Sequence, residues 1–517
     1  MNSKFSGSRV VVMGLGLNGG GLEAARYLAT HGAQVTVTDL RDEKVLRPSI
    51  EALADLPIRF VLGKHEIDDF RSADMVVKNP AVRPDSPYLA AAQRIETDIS
   101  LFLQENPARL CAVTGSKGKS STSSALHWVL SSVRNKVSAM GMDLPKAPQV
   151  SHSANPHENS GSVSHHSFLP GKAYLGGNIT VSPLIFLDQL TPEDDVVLEL
   201  SSWQLGDLRA RRVSLQDHEG TAEALDTGAT RALLKPRVAI LTTILPDHLD
   251  RYGTMEAYVA DKKVIYQGQD KTDVTIVGSD SWGGLFSRES PGRPRTYQTW
   301  GTDQAVSQEA LDGWLAGPQG PGLARLSDGS IVEVVPERTL VPGIHQKQNL
   351  LACALGLLDL GLPPEMIRET LATFPGLEHR LEFFFETKGI RFYNDTAATI
   401  PEAAAAAIEA FETGPILVTG GTDKNLDFSP LAQACKRAKQ VILLAGTGTE
   451  KLLQLLNTYG ISYRGPYDNL DKAVLSALEA AITGDNVVLS PGCASFGMFL
   501  NEFDRGRKWK EAVQRLA

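Results

Sequence analysis

A glycine-rich turn with a lysine and a serine has the residue types that hold phosphate groups. The stretch reads LCAVTGSKGKSSTSS, an apolar run followed by Gly118-Lys119-Ser120 and by residues able to begin a helix. Unpaired N–H groups at a helix N-terminus favour an anion, Lys119 adds a full positive charge, and Ser120 offers a hydroxyl to magnesium. The full pattern would place glycine where this chain has Val113, so only the shorter GxxGKS form with Gly115 is present. The spacing predicts a strand, a nucleotide-binding turn and a helix.

Two other strand ends carry side chains suited to the same chemistry. The apolar run DDVVLEL contains Glu199 and is followed by Ser201 and Ser202, and the strand Val238–Ile244 leads into PDHLDRY, which contains His248. Ligands of open α/β sheets gather at the carboxyl ends of the strands. Glu199 is therefore a candidate magnesium ligand, because Mg²⁺ takes a few carboxylates together with phosphate and water. His248 is a candidate metal ligand or substrate contact, or alternatively a structural histidine whose hydrogen bonds are satisfied.

The helix that follows this histidine places a lysine among apolar residues. On a helical wheel begun at Met255, Lys262 falls in the centre of the apolar stripe beside Tyr258 and Val259, whereas Lys263 lies toward the polar side. A buried ammonium is unfavourable unless it is paired, deprotonated or modified. Near a metal, a neutral lysine can take up CO₂ and become an anionic carbamate ligand. The alternative is that Lys262 extends its charge to the rim of the domain.

The N-terminal segment contains a second glycine turn. Residues 9–41 alternate strand, glycine turn, helix and strand, and Gly14, Gly16 and Gly19 fit GxGxxG with Asp39 beyond them. This pattern predicts a dinucleotide site with Asp39 on a ribose hydroxyl. Because the turn itself recognises only a pyrophosphate, a nucleotide-sugar diphosphate fits as well as NAD. A third possibility is that the glycines serve only close packing.

Length and composition define the class of protein. A chain of 517 residues is too long for one hydrophobic core and predicts roughly three domains. A net charge of -9 argues against a nucleic-acid or anionic-membrane partner, which would require a basic surface. The four cysteines show no CxxC spacing, so neither a disulfide framework nor a zinc site is indicated. Without a secretory h-region or a long apolar run, we expect a soluble, cytoplasmic protein.

Strands that alternate with helices predict an α/β fold of three domains. We expect a Rossmann-like N-terminal domain at 1–107, a central P-loop ATPase-like domain at 108–378 and a C-terminal Rossmann-like α/β domain at 379–517. The central domain carries two polar insertions, at about 144–171 and 211–230. The first is rich in Ser, His, Pro and Asn and is predicted to be a long, mobile loop, because its composition offers little apolar surface to bury.

In the third domain, polar side chains follow three predicted strands. Asp395, Thr399, Lys424 and Ser495 lie just past the runs IRFYN, PILVT and VVLS. There, a ligand that carries a carboxylate would meet a lysine and hydroxyl groups. Each residue taken alone is equally well explained by ordinary turn chemistry.

These motifs together resemble the Mur ligases of bacterial cell-wall synthesis, over nearly the whole chain. The segments that carry the resemblance are GLGLNGGG, VTGSKGKSS, GGN at 176–178, ELSSWQL, PDHLDRYG with Lys262 beyond it, FPGLEHR, YNDTAAT, GGTDK and SPGCASFGMFLNEFDRG. The resemblance is strongest to the members that add D-glutamate to UDP-N-acetylmuramoyl-L-alanine with ATP and Mg²⁺. It implies a monomer whose substrate carboxylate is first phosphorylated by ATP and then attacked by the amine of D-glutamate.

The resemblance also implies roles for individual residues. The catalytic residues would be Lys119, Lys262, His248 and Glu199. ATP would be bound by Gly115, Ser116, Lys117, Gly118, Lys119, Ser120, Ser121, Asn349, Arg380 and Asp395. The UDP-sugar would be bound by Leu17, Asn18, Asp39, Arg41, Asn178 and His248. D-glutamate would be bound by Thr399, Lys424 and Ser495. Magnesium would be held by Ser120, Glu199, His248 and carbamylated Lys262.

Two positions depart from the family pattern. His345 is followed by Gln346 where the family often has asparagine, which leaves Asn349 as the better match. Ala397 stands where the family frequently has lysine, so Lys424 is expected to carry more of the charge recognition.

Other functions fit parts of the sequence. A nicotinamide-dependent oxidoreductase would explain the GxGxxG turn but not the phosphate turn or Lys262. A non-catalytic UDP-sugar sensor would not need the catalytic-type residues of the ATP site. Within the family, a ligase that adds a different amino acid is the main alternative.

Overall fold

The computed structural model describes residues 4–17, 19–140, 147–149, 164–166, 171–179, 181–214, 230–299 and 307–517. The chain forms two compact units. The first comprises Met1–Trp314, Leu323–Val334 and Leu351–Ile367; the second comprises Leu315–Gly322, Val335–Leu350 and Arg368–Ala517. Within these described ranges, no helix is long and apolar enough to cross a membrane.

The N-terminal segment folds as a parallel five-stranded sheet with helices between the strands. Its elements are β1 (Arg9–Met13), α1 (Gly20–Thr30), β2 (Gln34–Asp39), α2 (Glu43–Glu51), β3 (Arg59–Leu62), α3 (Ile67–Ser72), β4 (Met75–Lys78), α4 (Pro87–Ala90), β5 (Ile95–Glu96) and α5 (Asp98–Glu105). The strand order is β3-β2-β1-β4-β5. The order reverses between β1 and β4, and such a switch point leaves a crevice at the carboxyl ends of the strands. The predicted Rossmann-like fold is confirmed.

The glycine turn after β1 is packed tightly against the helix that follows it. A side chain at Gly21 would place its Cβ 2.1 Å from the carbonyl oxygen of Gly14. Only glycine therefore lets α1 begin this close to the end of β1.

The central sheet has nine strands in the order β18-β17-β16-β15-β14-β13-β6-β10-β9. Its strands are β6 (Arg109–Thr114), β9 (Ala173–Gly177), β10 (Asp195–Glu199), β13 (Val238–Leu241), β14 (Val274–Gly278), β15 (Arg293–Tyr297), β16 (Gly313–Leu315), β17 (Gly322–Arg325) and β18 (Ile331–Val335). The strands β6, β10 and β13 are adjacent and parallel, so the three predicted strand ends lie at one edge of the sheet.

The helices of this segment connect or flank the central strands. They are α6 (Lys119–Met140), α7 (Ser202–Leu208), α8 (Leu249–Tyr252), α9 (Met255–Lys262), α10 (Val264–Gln267), α11 (Ser281–Glu289), α12 (Ile344–Asp359) and α13 (Pro364–Leu371). A capping box starts α7, because the Ser201 hydroxyl accepts from the Gln204 N–H while the Gln204 side chain accepts from the Ser201 N–H. The cap fixes the helix directly after the end of β10.

The two insertions lie largely outside the described residues, so the predicted mobility of the first stays a prediction. Within the first, β7 (Ala147–Gln149) pairs antiparallel with β8 (Ser164–His166). At the ends of the second, β11 (Arg212–Ser214) pairs antiparallel with β12 (Thr230–Ala232). Arg211 itself is anchored, since its guanidinium donates to the carbonyl oxygens of Ile95 and Asp207.

The C-terminal segment is a six-stranded sheet in the order β19-β20-β24-β21-β22-β23. Its elements are β19 (Glu382–Thr387), β20 (Ile390–Asn394), α14 (Pro401–Glu409), β21 (Ile416–Thr419), α15 (Ser429–Ala434), β22 (Gln440–Leu444), α16 (Thr447–Thr458), β23 (Tyr463–Tyr467), α17 (Leu470–Ala480), β24 (Asn486–Leu489) and α18 (Glu502–Leu516). The edge strand β19 is antiparallel to β20, and the other pairs are parallel. The predicted α/β fold of this segment is confirmed.

Candidate active site

The phosphate turn between β6 and α6 is held by the end of β13. Gly115 has φ 150°, and a Cβ there would lie 1.9 Å from Oγ1 of Thr242. That hydroxyl donates to the carbonyl oxygens of Lys117 (2.6 Å) and Thr114 (3.1 Å). The turn therefore needs glycine at Gly115, and the predicted order of strand, turn and helix is confirmed.

Two lysine ammonium groups converge on one carbonyl oxygen of this turn. Lys119 donates to the carbonyl oxygen of Gly115 at 3.0 Å and to that of Ser116 at 3.1 Å. Lys262 donates to the same Gly115 oxygen at 2.7 Å. The Ser116 hydroxyl donates to the Leu245 carbonyl and lies 2.9 Å from the Tyr258 hydroxyl, which ties the turn to α9.

Lys262 is only 1% exposed, and the face of the Tyr258 ring lies 4.7 Å from its ammonium. Burial, together with the positive charge of Lys119, lowers the pKa of Lys262 from 10.5 to about 7. Lys263 instead forms an ion pair with Glu289 at 2.7 Å. The helical wheel thus assigned the two lysines correctly, and the alternative in which Lys262 reaches the rim is wrong.

Glu199 ends β10 with an unsatisfied carboxylate oxygen. Its Oε1 accepts a hydrogen bond from the Asn178 amide at 2.8 Å. Its Oε2 is buried and has no hydrogen-bond partner among the described residues. A buried carboxylate oxygen without a donor is unfavourable, and a hard cation is the ligand that satisfies it best. The carboxylate of Glu199 therefore suits a magnesium ion.

His248 is the N-cap residue of α8 and has the left-handed backbone conformation, with φ 53°. Its ring lies 5.1 Å from that of Trp203, centroid to centroid, and the Arg251 guanidinium lies 4.2 Å from the same indole ring. Trp203 from the ELSSWQL segment therefore orients both His248 and Arg251. The sequence positions of His248 and Arg251 did not indicate this contact with Trp203.

A cavity of about 390 Å³ lies against several of these groups. Among its lining residues are Lys119, Asn178, Trp203, His248, Tyr258 and Lys262. Asp98 and Ser182 also line it, although no sequence motif indicated either residue. The position of Asp98 two residues after β5 was the available signal, because polar residues that follow strands of such sheets face the ligand crevice. The charges and hydroxyls around this cavity suit the transfer of a phosphoryl group to an anionic acceptor.

A second cavity, of about 910 Å³, lies at the switch point of the N-terminal sheet. Its lining includes Leu17, Asp39 and Arg41. Asn18, which was predicted to belong here, lies outside the described residues. The two cavities share the wall residues Gly20, Asn79 and Ala81.

Asp39 orients Arg41 within this second cavity. Its two carboxylate oxygens accept from the Arg41 guanidinium at 3.1 and 3.0 Å, and one also accepts from the Gly16 N–H. Burial alone would raise the pKa of Asp39, but these hydrogen bonds outweigh it and the pKa is lowered. The ionised carboxylate thus holds a guanidinium, the group best suited to bind a diphosphate, in the wall of the cavity.

The second unit brings the predicted loops of the C-terminal domain together. Thr422 and Ala494 exchange backbone hydrogen bonds of 3.1 and 3.0 Å, and the Gly492 N–H donates to the Ala398 carbonyl at 2.9 Å. These bonds join the loops that carry Thr399, Lys424 and Ser495. Lys424 is exposed and Ser495 is buried.

Asp395 and Arg380 differ in burial. Asp395 accepts from the Ser490 hydroxyl at 2.6 Å and from the Leu381 N–H at 3.0 Å. Burial raises the pKa of its carboxyl to about 7. Arg380 is exposed, and Asn349 lies in the second turn of α12.

Arg505 is a buried cation to which the sequence motifs assigned no role. It is 1% exposed and donates to the Thr396 hydroxyl (2.9 Å), the Thr396 carbonyl (2.9 Å) and the Cys493 carbonyl (3.1 Å). Burial lowers its pKa to about 10. Arg505 therefore fixes the loops after β20 and β24 from the first turns of α18.

Comparison with known proteins gives matches to each segment of the chain. A Mur ligase MurD-like N-terminal domain matches residues 8–100, a Mur ligase middle domain matches 218–356, and a Mur ligase glutamate ligase domain matches 379–493. The chain is 39% identical to a UDP-N-acetylmuramoylalanine–D-glutamate ligase of Treponema pallidum, over 99% of this chain and 98% of that protein. A Roseiflexus protein of the same name is also 39% identical, over 99% of both chains.

Solved structures agree on the fold. UDP-N-acetylmuramate-alanine ligase MurC from Thermotoga maritima aligns with a TM-score of 0.52 and 17% identity, over 98% of this chain and 99% of that one. MurF from Acinetobacter baumannii aligns with a TM-score of 0.51 and 14% identity, over 98% and 93%. Domain matches along the sequence, and relatives at 39% identity from end to end, establish that the chain belongs to the Mur ligase family.

Proposed function

We propose that this protein is an ATP-dependent ligase that adds D-glutamate to UDP-N-acetylmuramoyl-L-alanine in the synthesis of peptidoglycan precursors. The observation that carries the proposal is the cavity lined by Lys119, Lys262 and His248, which adjoins the cavity of about 910 Å³ at the switch point of the N-terminal sheet. The choice of D-glutamate is supported by the names of the full-length relatives. We further propose that the protein acts as a monomer in the cytoplasm, with domains at 1–107, 108–378 and 379–517.

The chemistry follows from the weakness of a carboxylate as an electrophile. The terminal alanine carboxylate takes the γ-phosphoryl group of ATP, which releases ADP and leaves an acyl phosphate. The neutral amine of D-glutamate then attacks the acyl carbon, phosphate leaves, and the nitrogen loses a proton to give the amide. In the first step two anions approach each other, so positive charge in the cavity is required.

The phosphate turn supplies part of that charge. In this proposal, residues Gly115–Ser121 cradle the ATP phosphates with backbone N–H groups, and the Lys119 ammonium turns from its carbonyl partners to the transferred phosphoryl group. Asn349, Arg380 and Asp395 contact the rest of the nucleotide.

Ser120, Glu199, His248 and carbamylated Lys262 would hold Mg²⁺. The orphaned Oε2 of Glu199 supports this assignment. When bound, the ion neutralises phosphate charge and aligns the reacting oxygens. The carbamate needs a neutral amine, which attacks CO₂ and releases a proton; a lysine pKa of about 7 supports that step.

The two organic substrates would use separate pockets. The UDP-sugar binds Leu17, Asn18, Asp39 and Arg41 and reaches Asn178 and His248. D-glutamate binds Thr399, Lys424 and Ser495, where an ammonium and hydroxyl groups suit its carboxylates.

ADP release from ATP and UDP-N-acetylmuramoyl-L-alanine, measured with a panel of D- and L-amino acids, tests the proposal. We expect release with D-glutamate alone. Release with a different amino acid would identify another member of the family. NADH binding monitored by protein fluorescence, with no ATP turnover, would instead favour the oxidoreductase alternative.

A further inference from the structure

Asp98 places a buried carboxylate in the wall of the candidate catalytic cavity. It is the first residue of α5 and is 7% exposed. Its Oδ1 accepts from the Ile99 N–H at 2.9 Å, and its Oδ2 accepts from the Ser182 hydroxyl at 3.0 Å. No residue of the candidate phosphate or metal sites contacts it through these bonds, so the mechanism above leaves it without a role.

The carboxylate lies where the two cavities meet. A Cβ built on Gly20 would be 3.7 Å from Oδ2 of Asp98, and Gly20 is one of the residues that line both cavities. A substrate whose nucleotide occupies the larger cavity and whose reacting carboxylate lies near Lys119 and Lys262 must pass this point. Asp98 therefore faces the middle of such a substrate.

The hydrogen bonding of Asp98 is incomplete. The two carboxylate oxygens can together accept about four hydrogen bonds, and they receive three from neutral donors: the Ser182 hydroxyl and the N–H groups of Ile99 and Asp98 itself. Among the ion pairs of the described residues, none involves Asp98. Burial raises the pKa of its carboxyl to about 6. A further N–H or O–H donor at this position would stabilise the ionised form.

We infer that Asp98 is a substrate-binding residue that accepts a hydrogen bond from the N-acetylmuramoyl-alanyl part of the substrate. The diphosphate and the reacting carboxylate have no donor to offer, whereas this part has sugar hydroxyl groups and two amide N–H groups. The inference rests on the proposed function, since that function defines the substrate. It assigns Asp98 to recognition of the sugar–peptide part and not of the nucleotide.

The test compares Asp98→Ala and Asp98→Asn with the wild-type full-length protein. Isothermal titration without ATP gives Kd for UDP and for UDP-N-acetylmuramoyl-L-alanine, and steady-state assays give KM for each substrate. A charged hydrogen bond lost on a buried surface predicts about a 10- to 100-fold rise in Kd and KM for the UDP-sugar in Asp98→Ala. The Kd for UDP and the KM for ATP should stay within about twofold, and Asp98→Asn should be affected less, because its amide keeps one acceptor oxygen.

Thr97→Ala is the matched control. It removes the N-cap of the same helix, whose hydroxyl accepts from the Ser100 N–H, and Thr97 is not among the cavity-lining residues. We expect a lower Tm with near-normal substrate binding. Equal effects of Thr97→Ala and Asp98→Ala, or loss of UDP binding in Asp98→Ala, would overturn the inference in favour of a structural role.

Two further outcomes separate the inference from other accounts. A changed Mg²⁺ dependence with unchanged Kd for the UDP-sugar would make Asp98 a metal ligand and refute the inference. If the wild type binds the UDP-sugar but has no ligase activity, the proposed function fails, whereas the Kd ratio of UDP-sugar to UDP still tests Asp98.

Discussion

Replacement of Lys262 separates the carbamate from a merely structural lysine. Lys262→Ala should abolish ligase activity, because it removes the nitrogen that would carry the carbamate at the phosphate turn. Lys262→Arg keeps a positive charge but cannot form the carbamate, so it should be equally inactive. Lys263→Ala is the matched control, since the adjacent lysine is ion-paired with Glu289.

The expected pH dependence of CO₂ capture follows from the neutral fraction of the Lys262 amine. With a pKa of about 7, Lys262 is roughly 90% neutral at pH 8 and roughly 10% neutral at pH 6. A lysine of ordinary pKa would be less than roughly 1% neutral at pH 8. Capture of CO₂ should therefore fall about tenfold between pH 8 and pH 6. Loss of a preorganised charge at a phosphoryl transition state predicts about a thousandfold loss of kcat for Lys262→Ala.

The assay is ADP release by CO₂-depleted enzyme, with and without added bicarbonate, across this pH range. Bicarbonate should restore activity to the wild type and to Lys263→Ala, and short carboxylic acids should partly rescue Lys262→Ala by replacing the missing anion. Full activity of Lys262→Arg, or equal losses in Lys262→Ala and Lys263→Ala, would refute the carbamate.

Three other perturbations test separate parts of the structure. Gly115→Ala should lower ATP turnover by about a thousandfold, because its Cβ would collide with Thr242. UDP binding in calorimetry should be unchanged, because the nucleotide sugar uses another cavity. Loss of UDP binding would contradict the assignment of ATP and the UDP-sugar to separate sites. Arg505→Lys should lower the free energy of unfolding by about 2 kcal/mol in urea titrations and raise KM for D-glutamate. The reason is that three hydrogen bonds to the loops at Thr396 and Cys493 depend on the guanidinium fork. An unchanged KM would show that the loops keep their conformation without these hydrogen bonds. The pKa of Asp395 is about 7 in the folded state and near 3.8 in the unfolded chain. As the pH rises through this window the unfolded chain ionises first, so the wild type should lose stability relative to Asp395→Asn. A pH-independent difference in urea midpoints would show that the carboxyl is not buried as described.

Local sequence patterns were sufficient to predict the strands and the residues at their ends. Glu199 and His248 were predicted as candidates because residues at the carboxyl ends of neighbouring parallel strands lie at the same end of the sheet, and the structure confirms that these strands are neighbours. Lys262 was found because helical periodicity alone places its side chain in the apolar stripe. These inferences need only the period of the element and its direction.

Contacts that depend on loop shape or on tertiary packing could not be predicted in this way. The pairing of Asp39 with Arg41 depends on the shape of the loop after β2 and was not predicted, while the contact of Asp39 with a ribose stays a prediction. Arg505 reaches the loops at Thr396 and Cys493 only because α18 packs beside β20. No spacing rule encodes such packing, since it depends on the tertiary arrangement of several elements.

An isotope experiment tests the proposed reaction most directly. UDP-N-acetylmuramoyl-L-alanine labelled with ¹⁸O in the alanine carboxylate is incubated with ATP and D-glutamate, and the phosphate and amide products are analysed by mass spectrometry. The acyl-phosphate reaction predicts one labelled oxygen in each released phosphate, one ADP for each amide formed, and no phosphate release when D-glutamate is omitted from multiple-turnover assays. Unlabelled phosphate, or ADP release that does not depend on D-glutamate, would contradict the proposed ligase.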